Sequence, residues 1–497
     1  MFRLFETEIL PSRTSKNDAS LLPRITWGIF LCLLLTGLLI TIGVPTSLVF
    51  VLSSLVAILL AWQYPYIGFY LFIATAPLIG VVISISTGRL ELGQRTFGGS
   101  IDVVLAEVVA AVVLAAWALR LFFSWHRQDR GWKPWLPFIG SYASLVGAHI
   151  ISAFSAAIPD PLLVIKYSLR PVLFVYICSV VMPVNFIRSR QRLMTVFLIV
   201  AIVGSVFALD GFRSLFAWNG GPEFLYRARP LSILGFSPIG DNHNVLAELL
   251  VVAFPLAIAW GVMTKNVIAQ RWATYASLGM ILVALFTFAR SAWITLACQF
   301  IFLGATIWRG WFIERKKSLW KIGLVSLPLV IYMAVLSLSP GVQSSTDTRA
   351  TLTGIAVQLF KDHPFVGVGA GTFVDHVSHT WIYVVEFGTA LDSHGIFQKV
   401  LAETGLLGTL ALLAVIIAIT RSFYKTWLAL RRGSDEWYIF TLCISASLGG
   451  WIYQVFNTTY WTPKLWLPIG LTLAAGRIFL ARQAARDPDF LSTTPHV

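Results

Sequence analysis

Charge is what this sequence has least of. Only 12% of its 497 residues are Asp, Glu, Lys or Arg, while 57% are hydrophobic, with 19 Trp and 35 Phe among them. That ratio argues against an ordinary soluble domain, which cannot hide so much apolar surface, and makes lipid the expected solvent. Cysteine is nearly absent too. Cys32, Cys178, Cys298 and Cys443 all fall inside apolar runs, so they read as small packing residues and not as a disulfide set, and no metal-ligand spacing is legible. There is no low-complexity tract and no internal repeat. No cleavable leader is expected, because the basic head from Arg3 to Arg24 leads into an apolar run long enough to stay.

What is there is a series of apolar segments: 27–43, 46–62, 65–84, 101–123, 135–157, 162–182, 192–211, 244–263, 273–289, 291–308, 319–338, 396–419, 437–456 and 464–480. Each is expected to be helical, because lipid offers no partner to a free backbone amide. Several sit near the lower limit of ~17 residues for a span, so two are candidate half-helices and the count is about 12–14. The expected fold class is an all-α polytopic membrane protein.

With the N-terminus cytoplasmic, most of the 37 lysines and arginines gather at cytoplasmic helix ends. The densest group is Arg309, Arg315, Lys316, Lys317 and Lys321, and the next is Arg421, Lys425, Arg431 and Arg432. This is the positive-inside bias. It accounts for much of the +14 net charge, so no nucleic-acid partner is called for.

Twelve basic residues fall elsewhere: Arg89, Arg95, Lys166, Arg170, Arg213, Arg227, Arg229, Arg290, Arg349, Lys361, Lys399 and Lys464. A charge in or near the bilayer costs about 2.5–3.5 kcal/mol even on the lenient insertion scale, so those that persist need partners. Only five carboxylates occupy the one long non-cytoplasmic segment, 339–393. Either an anionic ligand supplies the rest, or the side chains snorkel to lipid phosphates.

Three positions stand apart. Arg290, in "FTFARSAWITL", lies at a tight junction between two apolar segments, which fixes its guanidinium near the outer interface as a ligand contact or a headgroup anchor. Arg349 lies in "SSTDTRATLTGIAVQLFKDHPF", where Leu352, Ile355, Ala356, Leu359 and Phe360 follow amphipathic spacing. With Ser345, Thr346 and Asp347 as N-cap candidates, Arg349 is expected in the first helical turn, where an arginine and a helix N-terminus together cradle phosphate. Lys166 and Arg170, spaced i, i+4, are either ligand contacts or structural partners of buried carboxylates.

The long segment also holds "HPFVGVGAGTF", with glycines at 367, 369 and 371. It does not link a strand to a helix, so it predicts tight turns or close approach and not a dinucleotide site. His363, His376 and His379 read as solvated loop residues, since nothing fixes a third metal ligand. His394, in "LDSHGIFQKVLAETGLLG", differs. It stands where the loop enters a span, near a helix N-terminus that favours neutral imidazole. A neutral imidazole there is either a capping residue or a base able to take a proton from a hydroxyl. Asp392 and Glu403 are the candidates to orient it.

The stretches "FTFARSAW", "TDTRATLTGIAVQLFKDHPFVGVGAGTF" and "DSHGIFQKVLAETGLLG", with a weaker match in "GDNHNVLAELLVVAFPLAIA", resemble the O-antigen ligase and polymerase superfamily of bacterial membrane glycosyltransferases. The resemblance covers about 180 residues of the C-terminal half. It implies a GT-C-like helical bundle at the inner membrane, moving a glycan from a polyprenyl (undecaprenyl) diphosphate carrier to a glycan or lipid acceptor on the periplasmic side. It implies that Arg290 and Arg349 hold the diphosphate and that His394 activates the acceptor hydroxyl. One departure is Gly395, where the family often has Asn. The chain then divides into 1–338, eleven helices; 339–393, an extracytoplasmic loop carrying part of the site; and 394–497, helices twelve to fourteen with a cytoplasmic tail.

A glycosyl diphosphate is already activated, so the chemistry needs cations for the leaving group and a base for the hydroxyl. No Asp-x-Asp metal pair is visible, and no cofactor is expected. Direct attack inverts the anomeric carbon. The expected activity is thus a metal-independent, inverting glycan transfer, ligase-like, serving lipopolysaccharide or another cell-envelope polysaccharide. Within the class the alternative is a polymerase of lipid-linked repeat units. Outside it, a small-anion (bicarbonate) transporter is set against the lack of repeated halves and of a coupling-ion set around Glu107, Asp210 and Glu248. A non-catalytic scaffold of an export complex is the remaining option.

Overall fold

The computed structural model describes residues 46–86, 90–92, 95–97, 100–126, 134–155, 169–216, 227–230, 237–315, 327, 331, 335, 340–458 and 460–486. The chain is nearly all helical and forms two compact units. One comprises Met1–Thr75 with Val82–Trp135, and the other Ala76–Val81 with Leu136–Val497.

In the first unit α1 (Thr46–Gln63) and α2 (Pro65–Thr75) break at Tyr64, with a bend of 116°. Proline disfavours helical geometry in the residue before it and suits the first position of a new helix, which accounts for the break. The span expected over 65–84 is therefore corrected. The helix stops at Thr75, and "VISIS", three of whose five residues are β-branched, becomes a strand. β1 (Val82–Ser86) pairs antiparallel with β4 (Ser100–Val104), and β2 (Leu90–Leu92) with β3 (Arg95–Phe97), before α3 (Leu105–His126) packs on α1 and α2. A hydrophobicity count does not distinguish such a strand from a helix end.

The second unit runs through α4 (Ile139–Ser155), α5 (Pro171–Phe186), α6 (Arg190–Ser214), α7 (His243–Met263), α8 (Val267–Phe286), α9 (Arg290–Thr306), α10 (Arg309–Glu314), α11 (Pro340–Asp362), α12 (Phe373–Ser378), α13 (Trp381–Phe387), α14 (Ile396–Ala429), α15 (Asp435–Gln454) and α16 (Pro463–Arg486). Among the described residues six helices are long and apolar enough to cross a membrane, or seven if the bent α1–α2 pair is one span. This is a multi-pass membrane protein. The segment expected at 27–43, Lys166 and most of 319–338 lie outside the described residues.

α7 is the centre. It is buried along nearly its whole length and packs against α6, α8 and α15. Lipid-solvated helices associate through small residues that let backbones approach. Here a Cβ at Gly204 would come within 2.8 Å of Ala253, and one at Gly211 within 2.8 Å of Leu246. The buried amide of Gln299 donates to the Val251 carbonyl (3.0 Å) and the Ser445 carbonyl (2.9 Å), joining α9 to α7 and α15.

From Pro340 to Phe387 the chain is largely helical. Leu352, Ala356, Phe373, Val377, Tyr383 and Ala402 form a small core under it. The expected start of α11 is corrected: the helix begins at Pro340, so Ser345, Thr346 and Asp347 are interior and Arg349 is not in the first turn. Proline is well suited to a first helical position and carries the helix start upstream of the Ser/Thr/Asp signal. A dipole argument for anion binding at Arg349 falls with it.

Candidate active site

The glycine run proves to be a repair to a broken helix. α14 is interrupted at Gly405, whose φ of 61° and ψ of −153° are non-helical. Residues 364–369 lie against that break. Val368 and Gly369 N–H donate to the carbonyls of Ala402 (3.0 Å) and Glu403 (3.1 Å), while Leu406 and Leu407 N–H donate to Pro364 (2.8 Å) and Phe365 (3.1 Å). The backbone groups released by the kink are thus satisfied, as burial requires. Gly367, Gly369 and Gly371 all have positive φ, and a Cβ on Gly367 would sit 2.2 Å from the Glu403 carbonyl. Glu403 is fully buried here. One of its oxygens accepts from Phe373 N–H (3.3 Å), and the other has no hydrogen-bond partner among the described residues. Ser152 of α4 donates to the Glu403 carbonyl.

The loop so fixed delivers α14 with His394 just ahead of it. Gly395 is the N-cap, and its Cβ would lie 2.6 Å from the Val455 carbonyl, which leaves no room for an asparagine there without a shift. Gln398 Nε2 donates to Thr353 Oγ1 at 2.9 Å, tying the first turn of α14 to α11 one turn beyond Arg349. Burial holds the half-buried His394 imidazole below its ordinary pKa, and the Arg349 guanidinium adds to this while Asp392 opposes it. Among the described residues no carboxylate hydrogen-bonds to His394. Asp392 accepts from Lys399 Nζ (2.5 Å) and Ser393 N–H (2.8 Å), so its influence on the ring is electrostatic.

Arg290 opens α9 after a turn in which Phe288 takes a φ of 52°, a conformation rare for an aromatic residue. Neighbours enforce it: Trp293 Nε1 donates to the Leu285 carbonyl (3.0 Å), and the Phe288 ring meets Trp293 edge-on at 6.0 Å. The buried Tyr453 phenol donates to the Asn244 carbonyl at 2.6 Å. Arg290 Nη1 donates to Thr346 Oγ1 at 3.0 Å, which sets it against α11 near Arg349. Burial, and secondarily the Arg290 charge, pull the Arg349 pKa down. Its buried Nε has no acceptor. Neither arginine pairs with a carboxylate among the described residues, so two mutually repelling guanidiniums stand together, and the Arg349 charge acts on an imidazole whose pKa is already lowered by burial. An anion placed between them relieves that repulsion.

Residues 275–413 match the family model described as O-antigen ligase. The match is to this segment alone, under half of the chain. The matched segment runs from within α8 to within α14, and so contains Arg290, Arg349 and His394. No curated protein matches. Among solved structures, one chain from work titled "Structural coordination of polymerization and crosslinking by a peptidoglycan synthase complex" aligns at TM-score 0.35 and 17% identity, over 70% of this chain and 97% of that chain. A likeness that weak says nothing about function.

Three other basic residues outside the cytoplasmic ends, Lys464, Arg213 and Lys399, are accounted for by carboxylates. Lys464 meets Glu248 at 3.5 Å, both almost fully buried, and Gln454 Nε2 donates to the same carboxylate at 2.6 Å. Arg213 pairs with Asp210 at 3.0 Å. Arg170 precedes Pro171 at the start of α5, and has a partner. Tyr453, Gln398 and Phe288 are not singled out by sequence reasoning. Trp293, three residues past Arg290 in the matched segment, is the nearest to a visible signal.

Proposed function

We propose that this protein transfers a glycan from a polyprenyl diphosphate to an acceptor hydroxyl at the outer face of the inner membrane. The observation that carries the reading is the arrangement at one end of the helix bundle. Arg290 lies by Arg349, neither has a carboxylate partner among the described residues, and Arg349 acts on a half-buried histidine whose pKa is lowered by burial. Arginines at the opposite end support the orientation: Arg190 donates to Met263 O at 3.4 Å, and Arg486 meets Glu436 at 3.3 Å.

In the reaction His394 takes the proton of the acceptor hydroxyl as its oxygen attacks the anomeric carbon. The bond from that carbon to the phosphate oxygen breaks, and its electron pair leaves on the polyprenyl diphosphate. Arg290 and Arg349 neutralise the charge that develops there, which gives the chemistry its electrophilic help. Attack opposite the leaving group inverts the configuration. Asp392 tempers the Arg349 charge at the imidazole. Glu403 holds the glycine loop that positions α14. A polymerase uses the same steps with a carrier-linked glycan as acceptor.

The test is transfer by purified protein given a polyprenyl-diphosphate oligosaccharide, alone and then with a non-carrier acceptor such as lipid A core. A ligase gives one product only with the second acceptor, and a polymerase gives ladders from the carrier substrate alone. His394→Ala is expected to lower either activity by about 10²–10⁴-fold with the fold intact. Near-normal transfer in that variant removes His394 from the mechanism. Absence of transfer from wild-type protein under both conditions counts against the reading.

A further inference from the structure

Lys399 lies in the first turn of α14, where the positive end of the helix dipole disfavours a cation. It is also only 8% exposed, so little water is left to solvate its ammonium. Two carboxylates take that place. Lys399 Nζ donates to Asp392 Oδ2 at 2.5 Å and lies 3.8 Å from Glu403 Oε1, one helical turn further along the same face. The two carboxylates belong to different parts of the site. Glu403 Oε1 accepts from Phe373 N–H, where the glycine loop passes into α12. Asp392 stands two residues before His394, and its Oδ1 accepts from Ser393 N–H at 2.8 Å. Ser393 Oγ donates to the Gly395 carbonyl at 3.2 Å, and Lys399 N–H donates to the same carbonyl at 3.1 Å. His394 is thus held on both flanks, and both lines of contact lead back to Lys399. Gly395 has no side chain with which to hold the turn itself.

A buried ion pair adds little net stability, because desolvation offsets the attraction, and its best-attested use is to fix register. We propose that Lys399 is a positioning residue for the transfer. By joining Asp392 to the first turn of α14 and to Glu403, it fixes the backbone of residues 392–395 and with it the place of the His394 imidazole. This rests on the glycan-transfer reading and adds the residue that seats its base. Arg290 and Arg349 sit on other elements, α9 and α11, so loss of Lys399 displaces the base while the donor arginines stay. A displacement of about 1 Å is enough to lower a rate by about 10²-fold.

The experiment compares full-length wild type, Lys399→Met, Lys399→Met/Asp392→Asn and Lys399→Arg in nanodiscs. Hydrogen–deuterium exchange is read on a peptide spanning residues 388–396. On the same preparations kcat and KM are read for transfer from a polyprenyl-diphosphate oligosaccharide, with lipid A core supplied as in the assay above. The double variant removes both charges, so it keeps the test open if the single one fails to fold. Exchange within α15 is the control and should match wild type. Both Met variants should exchange roughly tenfold faster at 388–396. Their kcat should fall by about 10²-fold with donor KM little changed, and Lys399→Arg should recover most of it. Unchanged exchange at 388–396 in the double variant overturns the role, whether or not the protein transfers glycan. So does faster exchange with unchanged kcat, because the link is then structural only. A defect confined to donor KM also overturns it. Wild-type protein that transfers nothing removes the glycan-transfer reading and this role with it, and faster exchange in the variants then reports a structural link alone.

Discussion

At the scale of single residues, His394 works through its protonation state, and its neighbours set that state. Its pKa lies below the ordinary 6.5, first through burial and then through Arg349, with Asp392 acting in the other direction. A general base must be neutral, so transfer should hold its rate as the pH falls through 6.5 and decline only below it. Asp392→Asn removes the contribution that raises the pKa and should move the acid limb to still lower pH. Arg349→Gln removes one that lowers it and should move the limb of the residual activity upward. The pH–rate profiles of the two variants read this directly, and shifts of the same sign would show that the limb belongs to another group. The residue list was legible in part. Arg290 and Arg349 stand out because each is an arginine in a chain short of carboxylates. Thr346, which holds Arg290, and Thr353, Gln398 and Tyr453, which tie the elements around the arginines together, are ordinary polar residues whose importance comes from contacts as distant in sequence as Asn244 and Tyr453.

At the scale of elements, the informative unit is the glycine loop inserted in the kink of α14. Gly367→Ala places a Cβ 2.2 Å from the Glu403 backbone at a φ of +71°, and Gly405→Ala places one 2.6 Å from the Phe365 carbonyl carbon at +61°. Each should cost about 2–4 kcal/mol, from left-handed strain plus overlap with backbone that cannot give way. The check is the thermal midpoint in detergent together with transfer activity. Gly354→Ala is the control, because its Cβ meets nothing within 4 Å in α11 and should gain from helix propensity. The sequence shows that "GVGAG" needs unusual backbone. It does not show the purpose, because the helix break it repairs lies nearly forty residues on, in an apolar run that reads as continuous. The α11 start is lost for a related reason. Ser345, Thr346 and Asp347 are good caps by type, but a proline upstream takes the first position. The strand at Val82–Ser86 is missed because its composition satisfies the span criterion while its alternation is too short to outweigh it.

For the whole molecule, the distribution of charge separates structure from ligand. Lys464 and Glu248, buried to 4% and 1% exposure, join α16 to α7 and account for one cation expected to be unpaired. Lys399, held by Asp392 and near Glu403, accounts for another. Without a carboxylate among the described residues are the exposed Lys361 at the end of α11 and four arginines, Arg227, Arg229, Arg290 and Arg349. If Lys464 and Glu248 are structural, Lys464→Met alone strands a buried carboxylate and should destabilise by about 3–5 kcal/mol. Adding Glu248→Gln should recover most of that loss, since Gln454 can still donate to the amide oxygen. The recovered double variant should then transfer glycan at close to the wild-type rate. A transporter coupled to an ion through this buried pair behaves in the opposite way, stable as the double variant but inactive. Stability and turnover of the two variants, measured on the same preparations, therefore decide whether the buried pair is scaffold or machinery, and with it whether Arg290 and Arg349 carry the chemistry.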